Sequence, residues 1–419
     1  MKRWIERNRV PIILNTVVML CVALTWTLYR FFGHRLIEAM YKGESIAFLN
    51  SIIEGQNARP LAEYLQIADI MMGLSSLVVI ALGSVLTPLI KAAKTDLRGF
   101  IRATLVVVGS SILSLFVAEG LARYAFRDVT STGDNGSYFA IKGRAGNPPA
   151  MNHWGFRERE FADKPAEGVY RIAVIGDSFT YGQGITESDR VTNILEQRLS
   201  QSTRKFEVLN FGRPGAETLD ELEFLHDVVF KVSPDFVLLQ WYVNDVEKPD
   251  HSKRPPGLRL IPSDALSQLL HEHSALFYLL ENQWGTLQTR LGVESYDDYM
   301  RRVFMDRDGP DSQAAYGMLT AFIEDTRARG IPMGIVAYPE LSYSDGSDET
   351  YALGFLIDRV LETCSKSHIT CIDLRPTLGA VHPAERLWVN RLDHHPNRMA
   401  NELAAQPILK QFGHAWMGN

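Results

Sequence analysis

The chain is predicted to be an α/β protein whose parallel sheet is covered on both faces by helices, preceded by an all-α membrane region of about three transmembrane helices. Three observations predict this. Long apolar runs are concentrated in the first 125 of 419 residues. From Tyr170 onward, short continuous apolar runs alternate with amphipathic helical stretches, the pattern of buried parallel strands joined by helices. The length also exceeds what one compact domain usually needs.

The membrane part is expected over residues 1–125, with spans at about 10–31, 69–91 and 99–121. Val10 to Tyr29 and Ile70 to Ile90 carry no formal charge, and each is long enough to cross a hydrocarbon layer of roughly 30 Å. Ala103 to Ala118 is shorter, but Arg102 and Glu119 at its ends can snorkel to the interface. The first run is too long for a signal-peptide core and lacks a small-residue cleavage pattern, so it reads as a retained anchor. Lys2, Arg3, Arg7 and Arg9 precede the first span and Lys91, Lys94 and Arg98 follow the second. The positive-inside rule puts both segments in the cytoplasm. Three spans then place the remainder outside it, which for a multi-pass protein of the bacterial inner (plasma) membrane is the periplasm. Between the first two spans, residues 33–69 read as a helical connector packed on the spans, with an amphipathic surface helix as the alternative.

Residues 126–165 form a linker and lead-in, with Thr130 to Pro149 rich in Gly, Ser, Asn and Pro. Residues 166–419 form the globular domain. Its strands are expected at the run RIAVI after Tyr170, Phe206 to Asn210, Phe236 to Gln240, Met333 to Tyr338 and Ile369 to Leu374. Helices are expected around RVTNILEQRL and residues 218–230, 311–329 and 348–365. An insertion at about 246–309 separates the third and fourth strands and is expected to form a cap or substrate-binding wall. Cys364 and Cys371 read as two unpaired buried thiols, with a disulfide as the alternative. With 43 Lys+Arg against 49 Asp+Glu, a net charge of -6 and no long basic stretch, no nucleic-acid partner is expected.

In a parallel sheet of this kind ligands bind beyond the carboxyl ends of the strands, so chemistry is sought directly after each one. After the first strand, Gly176-Asp177-Ser178-Phe179 presents a serine hydroxyl, the leading nucleophile candidate. A nucleophilic serine needs a base, a group to orient that base and donors for the oxyanion. After the second strand, Asn210, Gly212 and Gly215 precede a helix, and the Gly215 N–H is the favoured donor. After the third, Asn244 supplies a neutral amide donor, Asp245 reads as a structural residue, and Trp241 and Tyr242 read as core with a pocket lining as the alternative. Near the C-terminus, Asp393, His394 and His395 offer a base and its orienter. Extended backbone puts Asp393 and His395 on one side and His394 on the other. No other His or Cys stands at metal-ligand spacing around this cluster, so neither metal nor cofactor is expected. Tyr181-Gly182-Gln183-Gly184 lacks the third glycine and the lysine of a phosphate loop.

Together these residues resemble the SGNH (GDSL-like) hydrolase family, marked by a Ser in GDS(L/F), a Gly, an Asn in an N-D pair and a C-terminal Asp/His pair. All stand here in that order. The resemblance covers about Tyr170 to Gln411 and extends to Asn152-His153-Trp154-Gly155-Phe156-Arg157, which looks like the N-x-x-G-F-R lead-in of bacterial relatives. It implies a flavodoxin-like sheet and an enzyme of the GDSL serine-hydrolase type acting on ester bonds. It assigns Ser178 as nucleophile and backbone oxyanion donor, Gly215 and Asn244 as further donors, His395 as base and Asp393 as its orienter. The spacing departs from the family's commonest closing motif, because one residue rather than two separates Asp393 from His395.

The function expected is a membrane-anchored extracytoplasmic serine esterase or deacylase acting on an acylated lipid or glycan. An O-acyltransferase modifying an envelope polysaccharide, which would need a membrane protein partner or an external acyl donor, is the first alternative. A catalytically silent subunit of a membrane complex is the second.

Overall fold

The computed structural model describes residues 114–127, 136–144, 150–247, 260–261, 263–290, 292–341, 351–390 and 392–418, Val129, and a few isolated earlier positions. The chain divides into two units, Met1–Arg127 and Asp128–Asn419. In the first, residues 114–125 are helical, and Trp26 Nε1 donates to Ser76 Oγ at 2.9 Å. The spans expected at 10–31, 69–91 and 99–121 lie outside the described residues, isolated positions and the last turns of the third excepted. Among the described residues no helix is long and apolar enough to cross a membrane. Ile112, Leu115, Phe116, Val117, Leu121 and Tyr124 are exposed.

The second unit is built on five parallel strands: β1 (Val169–Gly176), β2 (Lys205–Gly212), β3 (Phe236–Trp241), β4 (Met333–Ala337) and β5 (Thr370–Asp373), in the order β2-β1-β3-β4-β5. Successive side chains of a strand point to opposite faces, and here both faces are apolar. Ala173, Ile175, Leu209, Phe211, Val237, Leu239, Ile335 and Ala337 enter one core. Ile172, Val174, Val208, Phe236, Leu238, Val336 and Ile372 enter the other. Each face therefore needs a helical cover. Thr218–Asp227, Pro310–Ala328 and Gly354–Lys366 supply residues to the first core. Val191–Leu199 and Arg398–Met417 supply the second.

All five strands, and the helices expected around RVTNILEQRL and residues 218–230, 311–329 and 348–365, fall within several residues of the predicted stretches. The parallel α/β architecture is as expected, and its strand order has a consequence for the site. From β1 the chain steps outward to β2 and then returns to the other side of β1 for β3, so the order reverses between β1 and β3. The loops leaving those two strands diverge there and open a crevice at the carboxyl edge.

Two features depart from the sequence reading, and the insertion takes a secondary structure that the reading left open. Within the stretch read as a linker, Tyr138–Arg144 is helical, with Phe139 and Ala140 buried. Its Gly- and Ser-rich flank hid an aromatic residue that packs edge-on to Tyr278, centroids 5.4 Å apart. The insertion folds as Asp264–His273, Ala275–Arg290 and Tyr296–Phe304, all helical. Cys364 and Cys371 form a disulfide rather than two free thiols. A tight helix-to-strand turn, closed by Ile369 N–H donating to Cys364 O at 3.1 Å with His368 in the left-handed region, brings their Cα atoms to 6.1 Å, within bridging distance.

β4 and the final helix also pack closely. A Cβ at Gly334 would overlap the Phe412 ring, which is itself wedged between Phe236 and Trp416 with centroids 5.2 and 5.7 Å away. Gly334→Ala is expected to cost about 1–3 kcal/mol through overpacking, read as a lower urea midpoint with an unchanged slope.

Candidate active site

β1 ends at Gly176, and the chain turns at once into a four-residue helix, Ser178–Tyr181. Asp177 caps it, its carboxylate accepting from Phe179 N–H at 2.8 Å. Glycine at 176 is required by space, because a Cβ there would strike Thr180 and stand 2.8 Å from Gln240 O. Gly212 at the end of β2 meets the same condition, since its Cβ would overlap the backbone of Thr180 and Tyr181. The serine turn is thus pressed against the ends of β1 and β2, with Ser178 at its first position.

The C-terminal pair reaches this point from a two-stranded antiparallel ribbon, Trp388–Asn390 with Asp393–Pro396. His395 Nε2 stands 2.9 Å from Ser178 Oγ, and His395 Nδ1 stands 2.5 Å from Asp393 Oδ1. Asp393 Oδ1 also accepts the His395 backbone N–H at 3.2 Å, which fixes the carboxylate relative to the ring. With Nδ1–H donating to the carboxylate, Nε2 is left to accept the serine proton. The single-residue spacing works because the segment is extended. Asp393 and His395 share one side, while His394 is exposed and stacks on Trp388 at 3.9 Å.

Of the expected oxyanion donors, Asn244 lies in a 3-10 turn after β3 and lines the cavity beside Ser178. Gly215 is not one of the lining residues. It sits in the left-handed region, φ +75°, in the loop after β2, which leaves the sheet beside the serine turn as Arg213 N–H donates to Gly176 O at 3.1 Å. The cavity, about 450 Å³, is also walled by Tyr242, Glu340, Phe139, Tyr278 and Tyr296. The strand-end aromatics divide: Trp241 is core, whereas Tyr242 stacks on Phe179 at 4.1 Å inside the cavity. The insertion does form part of the wall, through Tyr278 and Tyr296. Glu340 had a positional signal, since it stands three residues after the end of β4. Phe139 and the insertion tyrosines had none, because their approach depends on packing between segments far apart in sequence. Among the described residues no group of three or more His, Cys, Asp or Glu is arranged to hold a metal.

Behind the serine lies a set of buried carboxylates, of which the sequence reading picks out Asp245 as structural. Asp177 is fully buried, and burial pushes its carboxyl up to about 6. The Phe179 N–H and the His395 ring pull the other way. Its Oδ2 is a second acceptor for the Ser178 hydroxyl, at 3.3 Å. Glu221 and Asp245 are also fully buried and are held well above the usual carboxylate range, first by burial and then, for Glu221, by the charges of Asp177, Asp220 and Glu217 and, for Asp245, chiefly by those of Glu221 and Asp177. Asp245 Oδ2 accepts Tyr242 N–H at 2.8 Å, whereas neither Glu221 oxygen has a hydrogen-bond partner among the described residues. Acids whose folded pKa is raised bind more protons folded than unfolded, so their contribution to stability is greatest below the unfolded pKa and is lost as pH rises toward the folded value. Glu221→Gln removes one such group. The parent is therefore expected to lose stability between pH 5 and pH 8, and the variant less, as read from urea midpoints at the two pH values.

No curated protein matches the chain. Similar solved structures include the acetyl xylan esterase AlAXEase, at 14% identity over 57% of this chain and 98% of that one, TM-score 0.36. A second is the lipase/acylhydrolase from Enterococcus faecalis, at 15% identity over 59% and 96%, TM-score 0.36. TesA is a third, at 14% identity over 57% and 98%, TM-score 0.36. The sequence profile of the GDSL-like lipase/acylhydrolase family matches residues 174–403, which span the serine turn, Asn244 and the Asp393/His395 pair. This chain belongs to the GDSL-like lipase/acylhydrolase family.

Proposed function

We propose that the protein is a membrane-anchored, extracytoplasmic serine esterase that works through Ser178, His395 and Asp393 and an acyl-serine intermediate. The observation that carries this reading is the continuous hydrogen-bonded path from Ser178 Oγ through the His395 ring to Asp393, at 2.9 and 2.5 Å, opening onto a cavity. Ser178 Oγ attacks the ester carbonyl as His395 Nε2 takes its proton, and Asp393 stabilises the resulting imidazolium. The oxyanion is held by the backbone N–H of Ser178 and Gly215 and by the Asn244 amide. Collapse breaks the bond to the alcohol oxygen, which leaves with the proton from His395. Water, deprotonated by the same ring, then releases the acid and restores the serine.

Anchoring is part of the proposal. It is supported by the uncharged runs in the first 125 residues, by the positive charges flanking them and by the exposed apolar side chains between Ile112 and Tyr124. A substrate at a membrane surface, an acylated lipid or glycan, suits that placement.

On a short acyl ester, Ser178→Ala is expected to lose about 10⁴-fold or more in kcat and to lose labelling by a fluorophosphonate, with an unchanged thermal midpoint. Equal activity in parent and variant would sink the serine mechanism. Faster transfer to an added glycan than to water would assign the protein as an O-acyltransferase instead.

A further inference from the structure

The lead-in segment Asn152–Arg157 takes no part in the chemistry above, yet it is tied to the serine turn by buried polar contacts. Arg157 is buried. Its Nη1 donates to Gly182 O at 2.7 Å and Tyr181 O at 3.4 Å, and its Nη2 to Ile185 O at 2.8 Å. Asn210 Nδ2 takes the preceding carbonyl, Thr180 O, at 2.5 Å. Side chains from the lead-in and from β2 thus occupy the carbonyls leaving the serine turn.

These contacts are braced in turn. Glu158 Oε2 accepts Asn210 N–H at 3.1 Å and stands 3.7 Å from Arg190 Nη2. Arg190 donates to the Arg157 carbonyl and, at 2.9 Å, to Asn193 Oδ1. Its alkyl chain backs Gly182, where a Cβ would come within 2.5 Å of Arg190 Cγ. The same loop reaches the other end of the catalytic path, since a Cβ at Gly184 would stand 3.0 Å from Asp393 Oδ2.

A buried guanidinium is costly unless its donors are satisfied, and a planar fork can reach carbonyls three residues apart where a lysine ammonium serves one point. A four-residue helix has too few internal hydrogen bonds to hold its own shape. We propose that Arg157 is a positioning residue of the active site: by holding the carbonyls of Tyr181, Gly182 and Ile185 it fixes Ser178 against His395 and seats the 182–185 loop against Asp393. This inference rests on the reading of Ser178 as nucleophile only for its kinetic test.

The experiment compares full-length parent, Arg157→Ala, Arg157→Lys and, as a control, Arg302→Ala, which removes an exposed ion pair with Glu294. Misplacing a nucleophile by about 1 Å costs on the order of 10²-fold. Arg157→Ala is expected to lose kcat by about that factor with KM within about threefold, and to regain part of it when guanidinium is added at a non-denaturing concentration. Arg157→Lys should lose less, and Arg302→Ala nothing. A folded Arg157→Ala with kcat within about twofold of the parent overturns the inference, and if that variant does not fold Arg157→Lys decides by the same criterion. A parent that hydrolyses no ester and resists fluorophosphonate labelling would instead defeat the esterase reading. Arg157 is then judged by the His395 imidazole resonances in NMR spectra. A shift in Arg157→Lys but not in Arg302→Ala upholds the inference, and unchanged resonances in both overturn it.

Discussion

The site depends on a close backbone approach. The turn that begins at Ser178 lies against the ends of β1 and β2, where only glycine fits at 176 and 212. Four residues cannot sustain a helix alone, so the turn is held from outside at both ends. Asp177 caps its first N–H groups, while Asn210 and Arg157 occupy the carbonyls at its exit. Everything else in the site is measured from that fixed point. His395 has to arrive within hydrogen-bonding distance of one oxygen atom, and an antiparallel ribbon delivers it there.

The arrangement has an electrostatic consequence. Packing the turn into the sheet edge buries Asp177 beside Glu221 and Asp245, and burial raises all three. Ser178 therefore has two potential proton acceptors, the His395 ring on the cavity side and the Asp177 carboxylate on the buried side. As a serine hydroxyl has one proton, the two acceptors compete for it. The shorter distance, 2.9 against 3.3 Å, favours the ring that can carry the proton to a leaving group.

Local periodicity determined much of this protein. The strands from β1 to β5 and the helices covering them follow from uninterrupted apolar runs and amphipathic spacing, because a residue buried on either face of a parallel sheet must be apolar whatever its partner. Ser178, Asn244, Asp393 and His395 were legible for a related reason: each directly follows a strand or lies in an extended segment, where position along the chain translates into position at the sheet edge. Alternation also separated His395 from His394 without reference to any other part of the chain.

Tertiary structure decided what depends on segments distant in sequence. Arg157 reaches the carbonyls of Tyr181, Gly182 and Ile185 only in the folded chain, so the string N-x-x-G-F-R carries no hint of which carbonyls it holds. The buried carboxylates, the aromatic wall from Phe139, Tyr278 and Tyr296, and the Cys364–Cys371 bridge are of the same kind. Apolar pattern records which side of an element is buried. It does not record which element lies opposite, and hydrogen bonds, charge coupling and disulfides are properties of that pairing.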